Sequence, residues 1–268
     1  ALVLTLKNGQ TVEIVVTDEQ VASGTCGTNT QWTLDGDGRL TISLTEGATT
    51  GTMTSMPWEA SYKTSINEVV MANGITAIPQ AAFKACSNVT SISFSSTLTT
   101  IPKDACRGLT KLATVNFADL TALETIGTYA FSGCTQLTGT GFENLSALKT
   151  IEKAAFENST AFSVEVDTSK LTSLQTIGEY AVNKTAVTKA DLSGSSVTTI
   201  SAYTFANCSK LTEVVLPNSI TQIGNQAFNN CAILDSINLS DINGLTRIGT
   251  DAFRGCMKLG GTLDLTAM

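Results

Sequence analysis

A nine-residue string returns eight times along the chain, and no other feature limits its folds so strongly. IPQAAFKAC at Ile78 comes back as IPKDACRGL at Ile101, IGTYAFSGC at Ile126, IEKAAFENS at Ile151 and IGEYAVNKT at Ile177. It continues as ISAYTFANC at Ile200, IGNQAFNNC at Ile223 and IGTDAFRGC at Ile248, at spacings of 23, 25, 25, 26, 23, 23 and 25 residues. A unit this short cannot bury its own apolar face, so the copies must stack into a coil in which each covers the next.

Each copy carries a second apolar cluster eleven to sixteen residues after the Ile, such as Leu211, Val214 and Leu216, or Leu234, Ile237 and Leu239. In this L-x-x-V/I-x-L pattern the last two apolar positions share one face and the residue between them points to the other. Every coil is therefore expected to contribute one short strand. Strands stacked about 4.8 Å apart place Ile on Ile and Phe on Phe.

The residue after the repeated Ile is Pro twice, Gly four times, and Glu152 or Ser201 in the remaining copies. Proline holds φ negative, so the position reads as the first residue of a helical turn, where a missing amide is harmless. Ala follows four residues after the Ile in every copy except Thr204, which predicts close approach of neighbouring coils. The next residue, Phe, reads as a core wedge. It is replaced by Cys106 and Val182, so the second and fifth coils are expected to be the less well packed ones.

The chain thus reads as a mostly-β α/β protein, a right-handed solenoid of about eight repeats of 23–26 residues over residues 76–268, behind an N-terminal β cap. Residues 1–21 form a hairpin, with LVLTL and VEIVV flanking KNGQT and a type I′ turn at Asn8-Gly9. Residues 22–75 hold a second strand pair about the Asp-Gly turn at 35–38. They cap the solenoid, whose terminal coil would otherwise present bare core.

The stretches TCGTNTQWTLDGDGRLTIS, PWEASY and INEVVMANGITAIP, with the I-G-x-x-A-F-x-x-C repeats, resemble the BspA-like leucine-rich repeat family over residues 22–265. The repeat length also falls within the roughly 20–29 residues of leucine-rich repeats. The resemblance implies a secreted or surface-anchored, non-enzymatic protein of host-associated bacteria and some protozoa, with adhesion to host or extracellular matrix proteins. This chain departs from the family pattern in its 25- and 26-residue coils, in Ser159 and Thr185 at the Cys position, and in the N-terminal hairpin.

Composition narrows the chemistry. The net charge of -7 opposes the basic footprint of nucleic acid binding. The absence of His removes Ser-His-Asp and Cys-His catalysis and His-based zinc sites, so no enzyme activity and no cofactor are expected. No run approaches the roughly 18 apolar residues of a membrane-spanning helix, so this fragment is not expected to insert. The chain opens on Ala1, which fits a front end removed by processing or trimming.

Cys86, Cys134, Cys208, Cys231 and Cys256 each stand eight residues after the repeated Ile, on one rung that Leu109 also occupies. They read as small buried thiols, because parallel side chains on adjacent rungs fit disulfide torsion badly. Cys26 in the cap is also expected to be buried. Asp35-Gly-Asp37-Gly reads as a hairpin turn, since an EF-hand would need further ligands and a Glu at the twelfth position. Trp32 and Trp58 read as core, with a sugar-stacking platform as the alternative. Six Asn-x-Ser/Thr triplets, Asn88 and Asn158 among them, read as coincidence.

The candidate binding face is the outward row of the strand ladder. It comprises Ser91, Ser93, Thr114, Asn116, Glu165, Lys189, Asp191, Glu213, Val215, Ser236 and Asn238. The row is small and polar, without the Trp, Tyr and Arg that concentrate binding energy, which predicts weak contacts strengthened by many copies. The expected function is a secreted or cell-surface scaffold that adheres to a host or matrix protein through this face. A glycan-binding module and a passive display stalk are the alternatives.

Overall fold

Three ribbons of hydrogen bonds run along the repeats, because each copy contains three segments whose backbone groups find no partners inside their own coil. The computed structural model describes residues 2–5, 11–14, 19–167 and 171–260. Coils are numbered one to eight by their repeated Ile.

At the front, β1 (Leu2–Thr5) and β2 (Thr11–Ile14) pair antiparallel; the Asn8-Gly9 turn lies outside the described residues. The cap follows as β3 (Gln20–Thr28), β4 (Thr30–Asp35), β5 (Arg39–Leu44), β6 (Gly51–Met53), β7 (Glu68–Met71) and β8 (Ile75–Ala77). β3, β4 and β5 form an antiparallel meander. The free edge of β5 takes β7 in parallel register, Leu40 opposite Val69 and Ile42 opposite Met71. From there the sheet continues into the first coil without a change of hydrogen-bonding direction.

Beyond the cap two kinds of strand alternate. They are β9 (Ser91–Ser93), β10 (Thr100–Ile101), β11 (Thr114–Val115), β12 (Thr125–Ile126), β13 (Thr150–Ile151), β14 (Glu165–Asp167) and β15 (Thr176–Ile177). The series ends with β16 (Lys189–Asp191), β17 (Thr199–Ile200), β18 (Glu213–Val215), β19 (Gln222–Ile223), β20 (Ser236–Ile237) and β21 (Arg247–Ile248). The expectation of one strand per coil is corrected here. The repeated Ile, with the residue before it, forms a second parallel ladder, β10-β12-β13-β15 and β17-β19-β21, with Ile101, Ile126, Ile151 and Ile177 in register.

The two strand ladders are interrupted at different places. On the wider face β9 and β11 belong to the cap sheet, whereas β14, β16, β18 and β20 form a separate one, and coil three contributes no strand. On the isoleucine face the breaks fall between β8 and β10 and between β15 and β17. In coils three, four, five, seven and eight the amide after the repeated Ile donates to the preceding Ile, as from Gly178 to Ile151 at 2.8 Å and from Gly224 to Ile200 at 2.7 Å, whereas Pro102 has no amide proton to give. Between β15 and β17 the Ser201 hydroxyl donates to the Ile177 carbonyl instead, at 2.8 Å.

The third ribbon replaces the expected helical turn. Within it i→i+3 bonds occur only at alternate residues, from Ala105 to Pro102, Arg107 to Asp104 and Leu109 to Cys106, each at 3.2 Å. The interruption comes from the third residue after each Ile. Ala81, Asp104, Tyr129, Ala154, Tyr180, Tyr203, Gln226 and Asp251 all have left-handed backbones, with φ between 53° and 59°. The intervening amides turn out of the coil and donate to the next one, Asp104 to Thr128 at 3.0 Å, Cys106 to Ala130 at 2.8 Å and Gly108 to Ser132 at 2.7 Å. The first two of these bonds recur at every junction from Ala81 to Phe228, and the third at every junction from Gly108 to Asn230.

Close approach also explains the recurrent small residues. The alanines at the fourth position are almost fully buried, and a Cβ added at Gly127 would sit 2.7 Å from the backbone nitrogen of Lys103. Thr204 is accommodated because its hydroxyl donates to the Ser201 carbonyl at 2.9 Å.

Phenylalanines stack along the axis, Phe131 on Phe156 at 5.3 Å, Phe205 on Phe228 at 5.4 Å and Phe228 on Phe253 at 5.3 Å. Cys106 is completely buried, and Phe117 from the same coil packs edge-on against Phe131 at 5.7 Å. At Val182 the ring stack simply breaks between Phe156 and Phe205.

Candidate functional site

The outward row of the strand face is partly committed to the coil itself. Asn116 accepts from the Phe94 amide at 2.8 Å and donates to the Phe94 carbonyl at 3.0 Å. Asn238 does the same to Leu216, at 2.7 and 3.1 Å. These two asparagines stitch the ends of neighbouring strands together. Asp191 accepts from the Ser193 amide at 2.9 Å, holding a turn. Lys189 and Glu213 neutralise each other across adjacent coils at 3.3 Å. Ser91, Ser93 and Val215 are half-buried, Thr114 and Ser236 are exposed, and the backbone of Glu165 lies on β14.

The aromatic and guanidinium groups missing from that face lie on the turn ribbon. Tyr180 and Tyr203, consecutive occupants of the left-handed third position, stack at 4.4 Å with 6° between their planes. Gln226 of coil seven donates to the Tyr203 hydroxyl at 3.0 Å. On the other side of Ala154, the Arg107 guanidinium sits 4.5 Å from the ring centroid of Tyr129 and donates to Asp104 at 3.2 Å. Lys153, between the two tyrosine groups in sequence, pairs with Glu179 at 3.0 Å, and that bond raises its pKa. All three tyrosines are half-buried, with edges reaching solvent. A bulky side chain in a left-handed backbone is strained, and the repeat imposes that backbone on this position in every coil.

Sequence reasoning placed the tyrosines only as variable positions. The signal available was their recurrence at one register, Ile plus three, in coils three, five and six.

The thiol rung is buried as expected, with Cys256 half-buried at the last described coil and all seven cysteines unpaired by disulfides. The rung is more than apolar filler. The thiols of Cys134, Cys208, Cys231 and Cys256 each donate, at 3.1 Å, to the carbonyl at the fifth position of the preceding coil. Ser159 makes the equivalent bond to Phe131 at 2.6 Å. Burial pushes the Cys86 and Cys134 thiols up to about 12 and Cys208 up to about 11. Burial likewise raises Cys106 and Cys26. These are structural thiols, far from the thiolate a nucleophile requires.

The cap settles two further readings. Trp32 and Trp58 are buried and meet edge-to-face at 5.8 Å, which removes the sugar-platform alternative for both. Asp35 accepts from the amides of Asp37 at 3.1 Å and Arg39 at 2.8 Å, closing the hairpin turn in which Gly38 has φ +83°. Among the described residues no group of three or more His, Cys, Asp or Glu could hold a metal ion, and no helix is long and apolar enough to cross a membrane.

Stacked coils of 23–26 residues, parallel ladders of single-strand contributions and a ring-filled core define a leucine-rich repeat solenoid, a scaffold fold. The chain belongs to the family described as the BspA type leucine rich repeat region, whose profile matches residues 41–138 and 124–260 in six copies. No curated protein matches the chain in sequence.

Among solved structures it is similar to the T. pallidum leucine rich repeat protein at 19% identity, covering 87% of this chain and 88% of that one with a TM-score of 0.37. It is also similar to a leucine rich cell surface protein from Faecalibacterium prausnitzii at 18% identity, covering 91% and 88% with a TM-score of 0.25. The pneumococcal vaccine antigen PcpA matches at 16% identity, covering 90% and 81% with a TM-score of 0.35.

Proposed function

We propose that this chain is a secreted or cell-surface scaffold that binds a host or extracellular matrix protein through the outer surface of its repeats. The observation that carries the reading is the row Arg107, Tyr129, Tyr180 and Tyr203, which gathers three of the chain's four tyrosines on one ribbon. Tyr and Arg, with Trp, are enriched among the few residues that dominate binding energy at protein interfaces. Stacked, strained rings are already ordered, so a partner meets a surface with little side-chain entropy left to lose. The family's cell-surface relatives support the location.

The polar strand face remains a second contact surface within the same reading. Its paired charges and committed asparagines suit it to weak, many-copy contact rather than to anchoring.

The test is a binding screen of the purified chain against immobilised extracellular matrix proteins at physiological salt. Saturable binding that falls at least tenfold in Tyr180→Asn and Tyr203→Asn supports the tyrosine row. Loss on reversing Lys189 and Glu213, with the tyrosine variants unchanged, assigns the contact to the strand face. Absence of binding to every matrix protein overturns the adhesion reading.

A further inference from the structure

Coil five takes a shortcut. From the rung residue to the strand, coil six runs Cys208, Ser209, Lys210, Leu211, Thr212, Glu213, whereas coil five runs Thr185, Ala186, Val187, Thr188, Lys189. The strands on either side are in register, Lys189 opposite Glu213, so the missing residue comes out of the link before them. In coils four, six and seven that link closes a turn, Phe162 to Ser159 at 2.9 Å, and Leu211 to Cys208 and Leu234 to Cys231 at 3.1 Å. With one residue fewer, coil five lies flat, its Ala186 amide donating to Phe162 of coil four at 3.0 Å.

The flat link leaves a recess of about 590 Å³, open to solvent. Thr185 and Ala186 lie at the shortened link, flanked by Thr160 of coil four and by Ser209 and Lys210 of coil six. Lys184, Asn207 and Asn230 complete the lining.

Two independent features mark this recess as a ligand site. The first is its charge. The chain carries 23 acidic and 16 basic residues, yet the lining holds two lysines and no carboxylate. Neither Lys184 nor Lys210 forms an ion pair among the described residues, unlike Lys149, Lys153 and Lys189. The second is the backbone under Lys184. The seventh position after the repeated Ile is left-handed in coils two to eight and is occupied by Gly108, Gly133, Asn158, Asn207, Asn230 and Gly255, residues that tolerate it. Lys184 adopts the same conformation, with φ 56°, against its preference.

We propose that this recess binds an acidic sugar residue, with the carboxylate taken by Lys184 and Lys210 and the ring hydroxyls by the surrounding amides and hydroxyls. Asn207 accepts from Asn230 at 3.1 Å, which leaves its own amide protons for a ligand oxygen. Ala186 offers a small apolar patch to the C–H face of a sugar ring. The volume lies in the range of small-ligand pockets, larger than a single carboxylate side chain needs.

The experiment is calorimetric titration of the intact chain with D-glucuronate, N-acetylneuraminate, D-glucose and a tri-glutamate peptide. At least one acidic sugar should bind ten or more times more tightly than glucose and than the peptide. That binding should weaken at least tenfold in Lys184→Asn and in Lys210→Gln. Lys184→Asn places at this position a residue that coils four, six and seven already use there, so the fold is retained, and an unchanged melting temperature checks it. Lys189→Glu should leave the titration unaltered, which separates this site from the strand face. Equal binding of glucose, preference for the peptide, no binding of either acidic sugar, or unchanged binding in both lysine variants overturns the proposal.

Discussion

The indole of Trp58 lies parallel to the phenyl ring of Phe83, with 6.2 Å between centroids and 9° between planes, and through this pair the cap enters the aromatic stack of the repeats. Both rings are completely buried. Trp58→Ala should therefore cost about 3–5 kcal/mol, as expected for a large ring removed from a closed core. Trp58→Phe should recover most of it. Urea denaturation midpoints of the two variants check this, and equal destabilisation by both would show that the stack contributes nothing.

Because the rung thiols donate to carbonyls, the hydrogen-bonding capacity of the side chain matters as well as its volume. Cys231→Ser should be tolerated within about 1 kcal/mol, since Ser159 makes the same bond at 2.6 Å. Cys231→Ala should lose roughly 1 kcal/mol more, for the bond and the small void together. Thermal melts of the pair decide between a bonded rung and an apolar one.

Stability should decline in alkali. In the folded chain Cys86 and Cys134 titrate near 12 and Cys208 near 11, against 9.0 for a free thiol. Above pH 9 the unfolded chain loses these protons while the folded chain keeps them, so stability falls as pH rises, by about 1.4 kcal/mol per pH unit for each thiol. Below pH 9 the three thiols contribute no slope. Urea midpoints between pH 8 and pH 11 test the sign, and Cys134→Ser should make the decline shallower.

Alkylation should discriminate among the cysteines. Cys256 is half-buried, whereas burial raises the pKa of the shielded thiols. At pH 8 iodoacetamide should modify Cys256 first, with Cys86, Cys106, Cys134 and Cys208 reacting only on unfolding. Peptide mass spectrometry over a time course reads the order directly.

Tyr180→Asn and Tyr203→Asn should change stability by no more than about 1 kcal/mol. Relief of the left-handed strain, about 1–2 kcal/mol, opposes the loss of a ring pair worth about 0.5–1.5 kcal/mol. A loss of several kcal/mol in denaturation would mean that the tyrosines hold the coil together.

What the sequence revealed was whatever burial repeats at fixed register. Ile recurs at every coil, Ala at all but coil six and Phe at all but coils two and five, because each must cover its neighbour, and their positions needed no structure. The left-handed third position was hidden because Ala81, Asp104, Tyr129 and Gln226 carry none of the glycine signal that normally announces such a backbone. Asn116 and Asn238 looked like surface residues because a side chain that bonds to the preceding coil's backbone cannot be told from a solvated one by periodicity. Two clues were present unread. Ser159 and Thr185 in place of Cys pointed to a donor, and the count from Thr185 to Val187 pointed to the flat link of coil five.

The interruptions in the strand ladders carry a mechanical consequence. One ladder is broken at coil three and the other between coils one and two and between coils five and six, while bonds of the turn ribbon cross each of these places. A rope spliced at staggered points has no cross-section where all its yarns end. Under tension along its axis, this molecule likewise offers no single plane of easy separation, and a pull transmitted from a bound partner would be shared by at least one unbroken line of hydrogen bonds at every level.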